Sequence, residues 1–137
     1  MNNREIAKEW FLYAAKDLQS AVYLQGMRPV PVEIICYHCQ QRAEKYLKGY
    51  IALNGGGIQK IHDLVALNRI CRNYDLSFAE IQDDCLNLTD YGVQARYPFN
   101  LELNEMDMLL ALKSAERIRD FVKQKAKDIN LGIQTGG

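Results

Sequence analysis

The stretch IICYHCQQRAEKYLKGYI, residues 34–51, holds a Cys-x-x-Cys pair with a histidine inside it, and how it is read decides the fold. A thioredoxin-type redox pair needs a strand before it and its first cysteine at a helix N-terminus, where the dipole lowers the thiol pKa. Here no strand precedes the motif. Pro31 suits the first position of a helix, because its missing N–H is not needed there, and that helix runs to the glycines of NGGG, residues 54–57. Cys36 therefore lies about a turn and a half inside a helix. A structural zinc would need two further ligands, yet Cys71 and Cys85 stand fourteen residues apart with no second Cys-x-x-Cys. Cys36 and Cys39 read as small buried residues on a closely packed helix, and no metal or cofactor is expected.

Outward from this helix the periodicity stays helical. A first helix over about residues 3–24 carries Ile6, Trp10, Ala14, Ala21 and Leu24 at three- and four-residue steps and stops at Gly26. A short third helix over 63–74 carries Leu64, Leu67, Ile70 and Cys71 on one face. Ser77 and Glu80 form a Ser-x-x-Glu capping box, predicting a fourth helix that ends near Gly92. Asn104 caps a fifth, with Glu105 and Asp107 in its first turn, where the dipole favours acids. The fold expected is all-α: an up-and-down bundle of four main helices plus one short one, a single domain over 1–130 with a flexible tail at 131–137.

With 137 residues, 48% of them apolar and 25% charged, the chain is an ordinary globular one. No apolar run approaches the ~18 residues that cross a bilayer. The N-terminal MNNREIAKEW is charged and lacks the apolar core of a secretory signal, so a cytoplasmic, reducing home and four free thiols are expected. The net charge of zero conceals an uneven distribution. Residues 42–72 hold six Lys/Arg against two acids, or +4; residues 73–107 hold eight acids against Arg96, or −7. Broad nucleic-acid binding is disfavoured, while a local basic face stays available for a phosphate. The alternative is that the two charged runs attract each other within the fold or across a dimer.

Four positions on the second helix, His38, Gln41, Lys45 and Lys48, share one side at steps of three, four and three, a row able to receive a phosphate and equally able to be a solvated face. Asp17 falls on the apolar stripe of the first helix between Ala14 and Ala21, where a carboxylate is costly unless it meets a cation; the basic row can supply one. His62, in the loop before the third helix, reads as an acid–base group, a phosphate donor or a helix cap. Arg96 is the one base in its acidic stretch and stands between Tyr91 and Tyr97, an arrangement that can pair with Asp90 or Glu102, or grip a phosphate and stack its base.

Taken in order, AAKDLQSA (14–21), CYHCQQRAEKYLKGYI (36–51), KIHDLVAL (60–67) and YGVQARYP (91–98) resemble a HEPN domain (higher eukaryotes and prokaryotes nucleotide-binding), over about residues 9–122. The resemblance implies a small helical bundle that forms homodimers, commonly beside a minimal nucleotidyltransferase in toxin–antitoxin-like pairs. Many HEPN proteins are metal-independent RNases whose motif is an arginine followed, after four to six residues, by a histidine. Arg96 matches the arginine, but Leu101, Glu102 and Leu103 stand where the histidine belongs. The expected function is nucleotide or RNA-phosphate binding without catalysis, through Lys45, Lys48, His62, Arg96, Tyr91, Tyr97, His38 and Gln41. The alternatives are an RNase using Arg96 and His62, and a purely structural helical adaptor.

Overall fold

The computed structural model describes the backbone of residues 1–94 and 102–134, with side chains for 1–92 and 102–127. Its order is α1 (Asn3–Leu24), α2 (Val32–Leu53), α3 (Leu64–Tyr74), a 3₁₀ segment (Leu76–Ile81), α4 (Gln82–Leu88), α5 (Tyr91–Gln94) and α6 (Glu105–Gln134), with no strand among the described residues. The fold is the all-α bundle expected.

Local chemistry sets most of these ends. Asn2 accepts the Glu5 N–H at 2.9 Å and starts α1. Asp63 accepts the Val65 and Ala66 N–H groups and starts α3. Asn104 and Asp107 exchange side-chain and backbone bonds at 2.9 Å each, a reciprocal capping box for α6. Pro31 is the N-cap of α2, one position before its first helical residue. The helix closes in a Schellman turn: Gly55 N–H donates to Ala52 O and Gly56 N–H to Ile51 O, with Gly55 at φ +83°.

The fourth helix departs from expectation. Asp75 accepts both the N–H and the hydroxyl of Ser77, at 2.9 and 2.6 Å, so the Ser77 oxygen acts as a donor to Asp75 and does not cap a helix. A 3₁₀ segment forms instead, α4 stops at Leu88, and α5 is a separate short piece. At the other end α6 runs on to Gln134, into the stretch assigned from sequence to the tail; residues 135–137 lie outside the described ones.

The core centres on α2, which packs against α1, α3, α4, α5 and α6. Ile35, Cys36, Cys39, Ala43, Tyr46, Leu47, Tyr50 and Ile51 are buried on it, facing Leu64, Leu67, Phe78, Leu88, Ala115, Ile118 and Val122. On α1 the buried positions are Ala7, Ala14, Asp17 and Ala21, and this small-residue face lets the two helices approach closely. The approach is tightest at Gly49, where an added Cβ would lie 2.5 Å from Phe11 Cε1. Among the described residues the two opposite charge runs form no ion pair with each other: Asp84 meets Arg117 at 2.9 Å and Asp75 meets Lys125 at 3.1 Å, both on α6, leaving the α2 cations to other acids.

Candidate functional site

The Cys-x-x-Cys pair is part of the core. Cys36 and Cys39 are fully enclosed, and burial, first among the causes, pushes each thiol up to about 12, with nearby charges secondary. Neither is available as a thiolate nucleophile near neutral pH. All four cysteines are free thiols.

The polar row of α2 divides between two buried acids. Asp17, 7% exposed, takes His38 Nδ1 on one oxygen at 3.0 Å and Lys45 Nζ on the other. This is the cation the α1 stripe required. The second acid, Glu44, is 4% exposed and lies on α2 itself. Its Oε2 meets Lys48 Nζ and His62 Nδ1, each at 2.9 Å, and its Oε1 accepts from Gln40 Nε2 at 3.1 Å. Gln40 also donates to the backbone oxygen of His62 at 3.1 Å, and Gln41 donates to Gln40 Oε1 at 2.8 Å. The loop bearing His62 is thus fixed to α2 by side chain and backbone together.

These contacts leave the two lysines differently placed from an open basic face. Lys48 is enclosed between Glu44 and the Trp10 ring, 5.6 Å from its centroid, and Lys45 is turned to Asp17. His62 is the outward member, its side chain 71% exposed. With Nδ1 engaged by a carboxylate, its Nε2 is the ring atom without a hydrogen-bond partner among the described residues. It lines a cleft of about 190 Å³ together with Gln40, Asp63, Thr89, Asp90 and Gly92. Asp63 is occupied there by the α3 N-terminus and Thr89, at 3.2 Å. Gly92 is pressed onto Gln40, so that a Cβ would lie 2.7 Å from the amide carbon. Tyr91 packs against the core, and burial raises its phenol pKa, so its ring is less open to a ligand than the sequence implied. Arg96 and Tyr97 lie outside the described residues.

Glu44 and Gln40 were not singled out by sequence, and Gly92 only as the end of the fourth helix. Glu44 and Lys48 at i, i+4 look like any solvated helix pair. Only their burial changes the reading, and that comes from Trp10 of α1 over Lys48 and the His62 loop over Glu44.

The family model of the HEPN domain matches residues 7–125. The chain belongs to the HEPN family. No curated protein and no solved structure matches it. HEPN domains often form dimers and bind RNA, and membership gives this chain a nucleotide- or RNA-related role. No described helix is long and apolar enough to cross a membrane. The matched span of this HEPN chain takes in both buried acids, both histidines and the cleft.

Proposed function

We propose that this HEPN protein binds the phosphate of a nucleotide or of RNA, in the cytoplasm, as a homodimer and with a minimal nucleotidyltransferase as partner in a toxin–antitoxin-like pair. The observation that carries the reading is the Glu44–His62 pair: a buried carboxylate holds Nδ1 of an exposed imidazole that lines a cleft together with Gly92, a residue of the stretch that carries Arg96 in sequence. The anion would sit between His62 and Arg96. Gln41 and Lys48 support the pair through Gln40 and Glu44, Lys45 and His38 are held by Asp17 on another side of α2, and Tyr97, with the edge of Tyr91, is the candidate for contact with a base.

The test is titration with ATP, other nucleotides and short RNA. Arg96→Ala and His62→Gln should each weaken binding by about tenfold, the scale of one charge-assisted hydrogen bond. Absence of binding at millimolar ligand, by both the protein and its partner complex, would sink the reading.

The same pair favours a second reading. An imidazole fixed at Nδ1 by a carboxylate is also how a general acid–base is oriented, so His62 is the group that could replace the histidine missing after Arg96. RNA cleavage in the presence of a chelator, lost in both Arg96→Ala and His62→Gln, would make the protein an RNase.

A further inference from the structure

His38 faces a different part of the molecule. Residues 38 and 40 are two apart on one helix and so point about 200° from each other. While Gln40 serves the His62 cleft, His38 lines a groove of about 620 Å³ between α1 and α2, with Lys16, Gln19, Ser20, Tyr23 and Ile34.

The groove is built rather than incidental. Asp17 is held on the otherwise apolar stripe of α1, and its carboxylate fixes the His38 ring through Nδ1. Nε2 has no hydrogen-bond partner among the described residues and is the ring atom left to the groove. Lys16 forms no ion pair among the described residues; its ammonium lies 4.8 Å from the Tyr13 ring centroid. Tyr23, 80% exposed, and Ile34, half exposed, give an apolar surface beside these polar groups. A cation, a hydroxyl and an oriented imidazole lining one groove with an exposed aromatic ring match a ligand that is anionic at one end and flat at the other.

We propose that this groove is a second ligand site, for a molecule joining an aromatic ring to a phosphate monoester. The ring lies against Tyr23 and Ile34, and the phosphate is held by Lys16, Ser20 and His38 Nε2. The imidazolium form donates from Nε2 to the phosphate; the neutral form accepts from a phosphate hydroxyl. The site is independent of the His62 cleft, and its ligand can be a free mononucleotide or the phosphorylated end of an oligonucleotide.

Because the chain has two histidines, each site has its own reporter, and long-range ¹H–¹⁵N spectra of the imidazoles follow both during one titration. With AMP, the His38 signals should shift saturably. Lys16→Ala, an exposed position that leaves the fold unburdened, should weaken the effect by about tenfold, and His62→Gln should leave it unchanged. Adenosine without phosphate should not produce it. A 5′-phosphorylated dinucleotide that acts as AMP does points to an oligonucleotide end as the source, and AMP acting alone points to the free nucleotide. Unmoved His38 signals at about 10 mM AMP, a shift equalled by adenosine, or one that survives Lys16→Ala or vanishes in folded His62→Gln, would overturn the site.

Discussion

Glu44 carries His62 across eighteen residues of sequence: its Oε2 lies 2.9 Å from His62 Nδ1 while the same oxygen accepts from Lys48 Nζ. A helix residue below the surface thereby sets the ring angle of a loop residue above it. The parallel pair, Asp17 and His38, does the same between α1 and α2. In both, a lysine from α2 offsets the buried negative charge, which is why this helix needs its cations inside as well as outside.

Glu44→Gln should cost about 3 to 5 kcal/mol in urea unfolding, because Lys48 is left as a buried ammonium without its counter-charge. Combining it with Lys48→Met should recover a large part of that loss, since removing both charges is far milder than removing one. Single variants within about 1 kcal/mol of wild type would show that water reaches the pair freely.

Lys45→Met keeps the aliphatic stem and removes the charge opposite Asp17. We expect a loss of about 1.5 to 3 kcal/mol, the worth of a hydrogen bond to a charged group, with little change in ligand affinity at the His62 cleft. A variant as stable as wild type whose phosphate binding falls tenfold or more would return Lys45 to direct ligand contact.

The helix ends were legible where the cap is local. Asn104 and Gly55 act within a turn of their own positions, and the start of α6 and the end of α2 follow from them; Asp63, read from sequence as the first residue of the third helix, is its cap. The fourth helix was misread because two side chains compete for the same start, and the Asp75 carboxylate, accepting from Ser77, displaces Ser77 as a cap. Asp17 was visible as an acid in an apolar stripe. Glu44 was not, since its neighbours in sequence are polar at the spacing of a solvated face; burial by a loop eighteen residues away leaves no mark at i, i+3 or i, i+4.

Gly49→Ala should destabilise despite the better helix propensity of alanine, which alone would add about 1 kcal/mol. The new Cβ would stand 2.5 Å from Phe11 Cε1 and 3.1 Å from Trp10 Cβ, forcing α1 away from α2. Overpacking of this kind costs about 1 to 3 kcal/mol, so a net fall in thermal midpoint is expected. A raised midpoint would mean that the Phe11 ring turns aside without cost.

The buried thiols make stability depend on alkaline pH. Burial pushes Cys36, Cys39 and Cys85 from their ordinary 9.0 up to about 12, and Cys71 is raised as well. The charged form of a thiol is the deprotonated one, so above pH 9 the unfolded chain has lost protons that the folded chain still holds. Stability therefore is fully present below pH 9 and falls as pH rises toward 12, by about 1.4 kcal/mol per pH unit for each thiol in that window. Replacing Cys36 and Cys39 with serine should cost about 1 to 3 kcal/mol near neutral pH through buried hydroxyls, yet flatten the alkaline slope and leave ligand binding intact in the folded fraction. Urea midpoints for both proteins at several pH values, with iodoacetamide labelling of the native protein alongside, read the two effects separately. Rapid labelling of Cys36 and Cys39 in folded protein, or binding that vanishes in a folded double variant, would show that the thiols reach the surface and take part in the chemistry.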